Sequence, residues 1–193
     1  MLVLILGLAI FIGVHLVSTL PARAQMVARL GEGPYKIGYS VASLIGFALI
    51  VWGMTLARGS AADIRLWTPP VWTKHIAFAL MLPAFILLAA AYIPSRIRDA
   101  TKHPMLLAVK IWALAHLIAN GDLAGLILFG SLLLWAGYDR VSLKKRGTRG
   151  PLGDRKGGPL NDVLAVVVGA ALFAFMLFVG HKWLFGIPLL PGA

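Results

Sequence analysis

The stretch PMLLAVKIWALAHLIANGDLAGLILFGSLLLWAGY, residues 104–138, decides the fold. It holds two apolar runs, 104–119 and 122–138, which only Asn120 and Gly121 separate. Glycine and asparagine are typical of tight reversals because they tolerate backbone conformations that other residues avoid. The stretch therefore predicts two short antiparallel helices joined as a tight hairpin.

The composition places this hairpin in a membrane. Hydrophobic residues make up 60% of the 193 residues, charged residues make up 13%, and the mean hydropathy is +0.87. A soluble domain of this size could not bury so much apolar surface. The chain has no cysteine, which excludes disulfides, thiolate-ligated iron, iron–sulfur clusters and cysteine nucleophiles. Any metal would need histidine, carboxylate or methionine ligands.

Six apolar segments approach the roughly 20 residues that a helix needs to cross a bilayer. They cover about 2–20, 36–57, 73–94, 104–119, 122–138 and 161–183. We expect an all-α bundle of about six transmembrane helices that forms a single domain over residues 1–193. Residues 21–24 resemble a signal-peptide cleavage site, but no basic residue precedes the first apolar run, so we expect that helix to be retained.

Lysine and arginine are distributed unevenly between the loops. The loops 21–36, 94–104 and 138–160 carry 13 of these residues, whereas 57–74 and Lys182 supply four. The positive-inside rule places the three basic loops in the cytoplasm and both termini on the periplasmic side of a bacterial inner membrane. Residues 140–158 are expected to be a flexible basic linker that contacts anionic lipid. The basic loops lack interleaved aromatic residues and a P-loop, so no nucleic-acid partner is expected.

Polar side chains inside the apolar segments indicate where a function could lie. His15 falls in the first segment and His116 in the fourth, where a polar group is costly and normally faces the bundle interior. Trp112, His116 and Asn120 recur at a spacing of four and so share one helix face. Two imidazoles on facing helices can hold a haem iron, or each can hydrogen-bond a neighbouring helix. The pattern alone leaves both possibilities open.

Several short motifs together point to a family. They are H-P at 103–104, W-x-x-x-H-x-x-x-N-G-D at 112–122, GEGPYKIGYS from Gly31 and HKWLFG from His181. With the early histidine, this combination resembles the NnrU family, which is similar to the plant 15-cis-ζ-carotene isomerase. The resemblance covers most of the chain, and the motif at 112–122 is its specific part.

The resemblance implies a membrane protein that binds haem b, with His15 and His116 as the iron ligands. It also leads us to expect Trp112 near the porphyrin and Asn120 either at a cofactor edge or in a helix cap. His181 is the chief alternative ligand because it belongs to the family-like ending, and His75 is a weaker one. The plant relatives have a cysteine just after the tryptophan, where this chain has Ala113, so a ligand exchange that uses a thiolate is not available.

His15 and His116 can share one iron only if they lie at similar depths in the membrane, which depends on the length of the first helix. If that helix ended at Pro21, His15 would lie about 9 Å from its inner end, whereas His116 would lie about 18 Å beyond Pro104. A first helix that continues to Leu30 and protrudes into the cytoplasm would reduce this mismatch, and we expect one.

Three classes of function remain open. The chain could be a haem-dependent isomerase or redox enzyme acting on a lipophilic, carotenoid-like substrate. It could be a haem-binding sensor or accessory protein of nitrite and nitric-oxide respiration, the metabolism from which the family takes its name. It could also be a structural or transport bundle without a cofactor. A Soret band in the purified protein would exclude the third class.

Overall fold

The computed structural model describes residues 1–147, 152–153 and 155–190, and this part of the chain is helical apart from its loops and one isolated bridge between Arg65 and Asp122. The helices are α1 (Leu2–Val17), α2 (Ala22–Leu30), α3 (Glu32–Ala57), α4 (Trp72–Ala90), α5 (Arg96–Thr101), α6 (Pro104–Ala119), α7 (Leu123–Lys145), α8 (Pro159–Phe175) and α9 (His181–Phe185), with a π-helical segment, Met176–Gly180, between the last two. The expected helical membrane bundle is confirmed.

Fewer helices than six meet the requirement for a full membrane crossing. In the described part of the chain, four helices are long and apolar enough to span, and a fifth is counted if α1 and α2 form one bent span. The remaining apolar helix, α6, has 16 residues, which is about 24 Å and less than the roughly 30 Å of hydrocarbon. By length and composition the expected six spans therefore become four or five.

Close helix packing brings α1 and α3 together along their length. A Cβ on Gly7 would meet the Ile50 nitrogen at 2.6 Å, and a Cβ on Gly46 would meet the Phe11 nitrogen at 2.8 Å. Glycines at such contacts let two backbones approach closely where lipid offers no hydrophobic driving force. The two helices run antiparallel, and Leu4 and Leu8 of α1 join Ile50 and Met54 of α3 and buried residues of α7 in the main core.

The helix directions define two ends of the bundle. Residues 18–31, 91–103 and the described part of 146–158 lie at one end, called here the basic end. Residues 58–71, 120–122 and 186–190 lie at the other, called the opposite end. Contacts between the chain segments support this grouping: the Asn161 amide donates to the Pro94 carbonyl at 2.7 Å, and the Leu66 nitrogen donates to the Gly121 carbonyl at 2.7 Å. The three loops predicted to be basic thus share one end.

The first helix is shorter than expected, which corrects the prediction of a long helix that reaches Leu30. The chain bends by 84° between α1 and α2. The hydroxyl of Ser18 donates to the His15 carbonyl at 2.6 Å, and that of Thr19 donates to the Leu16 carbonyl at 2.7 Å. These local hydrogen bonds compete with the helix, and Pro21 has no N–H to continue it. His15 therefore lies two residues from the end of α1.

The segment 140–158 is only partly the flexible linker that was expected. Its first six residues belong to α7, and residues 148–151 and 154 lie outside the described part of the chain. Residues 155–158 pack against α5: the Arg98 guanidinium donates to the carbonyls of Gly153 and Arg155, the latter at 2.6 Å. Arg98 is 5% exposed, so this loop covers part of the basic end.

Candidate functional site

His116 lies in the last turn of α6 with its tautomer fixed by the backbone. Its Nδ1 donates to the Trp112 carbonyl at 2.8 Å. A carbonyl can only accept, so Nδ1 carries the proton and Nε2 keeps the lone pair that binds metals. The ring stacks on Phe129 of α7 at a centroid distance of 4.5 Å and lies 5.1 Å from Trp112. Trp112 and Phe129 also contact each other, at a centroid distance of 5.0 Å, so the half-buried imidazole belongs to a cluster of three rings.

The hairpin after His116 is built from local caps. The Asn120 side-chain amide donates to the His116 carbonyl at 2.8 Å, and the Asn120 backbone nitrogen donates to the same carbonyl at 2.9 Å. The Asp122 carboxylate accepts from the Gly125 nitrogen at 2.6 Å and so caps the N-terminus of α7. Gly121 is needed because a Cβ there would collide with the Trp67 carbonyl.

His181 follows directly on the π-helical segment Met176–Gly180. Such segments are rare and occur frequently at functional sites, because the extra residue shifts the following side chain to a new angle. The Nδ1 of His181 donates to the Ile187 carbonyl at 2.8 Å. Gly186, at φ +71°, ends α9 and turns the chain back so that this carbonyl can reach the ring. His181 thus has the same tautomer as His116.

The surroundings of His116 at the opposite end include His181 and Arg58. Arg58 caps the end of α3 and His181 begins α9, so both lie at the same end of the bundle as His116. Burial lowers the pKa of Arg58, while the charges of Asp122 and Asp63 act in the other direction. The two carboxylates have structural partners of their own, since Asp63 accepts from the Ala124 nitrogen at 3.0 Å.

His15 lies in a different environment at the basic end. Its Nδ1 donates to the Phe11 carbonyl at 2.7 Å, and its ring lies 5.3 Å from Tyr39 and 5.1 Å from Trp135. It lines a cavity of about 250 Å³ together with His103, Arg98, Trp135 and Asp139. His15 therefore also has a free Nε2, but its neighbours differ from those of His116.

The two histidines predicted to share one iron contact different levels of α7. His116 packs on Phe129 and His15 on Trp135, six residues apart, which is about 9 Å along a helix axis. The two rings have no ring contact in common. His15 and His103 line one cavity, whereas His116 and His181 both lie at the opposite end of the bundle.

In the sequence, His103 stands out only through the H-P motif at 103–104. It is 9% exposed, and burial and the nearby Arg140 lower its pKa, while Asp139 acts in the other direction. The His-Pro pair before α6 could have suggested that the backbone of His103 is held rigidly. No local sequence pattern shows that residues of α1 and α7 lie around its side chain. The weaker candidate, His75, is exposed in the first turn of α4.

The comparison with protein families bears directly on these motifs. The sequence profile described as NnrU protein matches residues 3–189. The chain belongs to the NnrU family. It is a multi-pass membrane protein by the number of its long apolar helices.

One curated protein is similar to this NnrU-family chain. It is the DNA translocase FtsK of Mycobacterium leprae (strain TN), 29% identical over 150 residues, which are 78% of this chain and 16% of that protein. The chain thus matches only about a sixth of the translocase. No solved structure matches.

The histidines of this NnrU-family chain satisfy one requirement of a haem site. The described residues contain no group of three or more histidines, cysteines or carboxylates placed to hold a metal ion. A haem iron needs only two axial protein ligands, because the porphyrin supplies the other four. In His116 and His181 the unprotonated Nε2 can donate its lone pair to a metal, while Nδ1–H is held by a backbone carbonyl. A hydrogen bond of this kind orients histidine ligands. This donor set fits haem b.

Proposed function

We propose that this protein binds haem b in the membrane and serves nitrogen-oxide respiration as a sensor or accessory protein. The observation that carries the proposal is His116, a half-buried imidazole in contact with Trp112 and Phe129 whose proton is held on Nδ1 by a carbonyl. Membership of the NnrU family supports the link to nitrite and nitric oxide. A bound haem would supply one-electron redox chemistry and recognition of small gases.

In this proposal the second axial ligand is His181 rather than His15. His181 lies at the same end of the bundle as His116, its tautomer is fixed by the Ile187 carbonyl, and it follows a π-helical segment. His15 contacts Trp135 and His116 contacts Phe129, and these two residues of α7 are about 9 Å apart along the helix axis. His116 and His181, which lie at the same end of the bundle, are therefore the better pair of axial ligands for one iron.

Arg58 would hold a haem propionate at the same end. It is half-buried at the C-cap of α3, at the same end of the bundle as His116. Arginine binds carboxylates through two parallel hydrogen bonds, which makes it a suitable partner for a propionate near a wet edge. With the basic loops in the cytoplasm, the haem would lie toward the periplasmic side.

Ala113 favours a sensor or accessory role over an isomerase. It is fully buried in α6 and stands where the plant isomerase relatives have a cysteine. No thiolate is available here to exchange with an axial imidazole during a redox cycle. Isomerisation of a lipophilic, carotenoid-like substrate is therefore the less favoured function.

The test is a set of single alanine substitutions in the full chain, purified after expression with sufficient haem. We expect His116→Ala and His181→Ala each to lose most of the haem or the low-spin bis-imidazole EPR signal, because one axial nitrogen is gone. His75→Ala is the matched control, since His75 is exposed, and we expect it to retain both. If His15→Ala loses haem while His181→Ala keeps it, His15 is the second ligand and the proposed pair is wrong.

A further inference from the structure

The cavity at the basic end has no role in the proposed haem site. It lies where the last turns of α1 and α7 meet the first turn of α6 and the α5–α6 loop. Most of its lining is apolar, from residues such as Ala91, Met105, Leu106 and Leu143. Into this apolar wall the chain places His15, His103 and Asp139, which is an unusual concentration of polar groups beside membrane helices.

A buried donor without a partner gives a second, independent indication of a ligand. The Trp135 indole lines the cavity, and its Nε1 is buried with no hydrogen-bond partner. An unsatisfied buried N–H costs free energy unless a ligand or water accepts from it. His15 offers the complementary group, because its Nδ1 proton is used by the Phe11 carbonyl and Nε2 can accept. The residues that line the cavity therefore include one buried donor without a partner, on Trp135, and one possible acceptor, on His15.

The charges argue against an ionic guest. The Arg98 guanidinium is occupied by the Gly153 and Arg155 carbonyls, and Asp139 contributes a carboxylate, so a phosphate or carboxylate would meet repulsion. The Arg146–Asp139 pair, at 3.8 Å, partly balances that carboxylate. No metal-binding group of three is present in the described residues. The lining suits a neutral, flat and apolar ring that carries hydrogen-bonding oxygens.

We propose that this cavity binds the head group of a membrane quinone. A quinone carbonyl would accept from the Trp135 indole N–H, and the hydroxyl of the quinol form would donate to His15 Nε2 or to Asp139. The apolar lining would cover the ring, and the isoprenoid tail would lie in the bilayer beside the helix ends. The site is separate from His116 and His181, so it does not depend on haem binding.

The test uses the full chain in lipid nanodiscs that contain no endogenous quinone. Decyl-ubiquinone is titrated in, and the bound quinone is measured after extraction. We expect saturable binding of one quinone per chain, and we expect Trp135→Phe to weaken it about 3- to 10-fold, since it removes one hydrogen bond and keeps most of the ring. Trp52→Phe is the matched control because Trp52 is 58% exposed on α3, and its binding should equal that of the wild type. Equal binding by Trp135→Phe and the wild type would overturn the proposal.

A second measurement needs no substitution and remains valid if Trp135→Phe does not fold. A photoreactive azidoquinone is cross-linked to the wild-type chain, which is then digested. We expect label on peptides that contain residues 98–106 or 135–143, competed by decyl-ubiquinone and unaffected when the nanodisc is enriched in phosphatidylglycerol. Label confined to other peptides overturns the site, and competition by phosphatidylglycerol overturns the ligand in favour of a lipid head group.

Discussion

At the scale of single residues, the recurring device is an imidazole whose Nδ1 is held by a main-chain carbonyl. His15 and His116 bond the carbonyl four residues earlier, within one helix, and His181 bonds Ile187 across a turn. The first two bonds follow from helix geometry and are available to any histidine at such a position. The third requires a left-handed residue at Gly186, which explains why a glycine follows H-K-W-L-F in the family-like ending.

Gly186→Ala should therefore destabilise the C-terminal turn. A residue with a Cβ at φ +71° costs about 1 kcal/mol, and the loss of the turn would free the His181 ring. We expect a lower thermal midpoint and weaker haem retention. Gly38→Ala is the control, since nothing lies within 4 Å of a Cβ there and its φ is not positive; a similar loss in both variants would refute this role of Gly186.

His103 should make stability depend on pH. Its folded-state pKa is lowered from 6.5 by burial and by the positive Arg140 and Lys102, with Asp139 opposing. As the pH falls through about 6.5, the unfolded chain takes up a proton before the folded protein does, so the free energy of unfolding decreases until the pH passes the lowered pKa. His103→Gln should flatten this decrease in thermal midpoints measured between pH 8 and 5. An unchanged slope would contradict the assignment.

At the scale of helices, the sequence predicts elements better than contacts. The predicted segment 104–119 coincides with α6, because Pro104 begins the helix and Asn120 ends it. The break after Val17 was missed because it depends on competing Ser18 and Thr19 hydrogen bonds that a hydrophobic pattern does not contain. The π-helical segment before His181 was missed for a similar reason, since the spacing of apolar residues hardly changes across it.

The α6–α7 hairpin depends on the cap at Asp122. Asp122→Ala removes the acceptor for the Gly125 nitrogen and should lower the free energy of unfolding by about 1 kcal/mol. Asp122→Asn should restore most of it, because an amide oxygen can also accept. Unfolding in mild denaturant would measure both variants; equal stability of Asp122→Ala and the wild type would show that the cap is not needed.

At the scale of the whole molecule, the chain separates two sets of polar groups to the two ends of a bundle. The grouping of the basic loops could be predicted from the sequence. Successive spanning helices place every second loop at the same end, and the basic residues are concentrated in every second loop. The different levels of His15 and His116 along α7 could not be predicted, because the hydrophobic pattern does not show how α1 and α6 pack against that helix.

The orientation of the two ends is a separate prediction. Because the chain has no cysteine, single cysteines can be placed at Lys156, exposed at the basic end, and at Ala61, exposed at the opposite end. We expect a membrane-impermeant maleimide to label Ala61→Cys from the periplasm and Lys156→Cys only after the inner membrane is opened. The reverse pattern would invert the topology.

Haem content tests the central claim most directly. The wild-type chain, expressed with sufficient haem and purified in mild detergent, should give a Soret band and a pyridine haemochrome spectrum corresponding to one haem b per chain. A colourless wild-type protein of unchanged helicity would contradict the account.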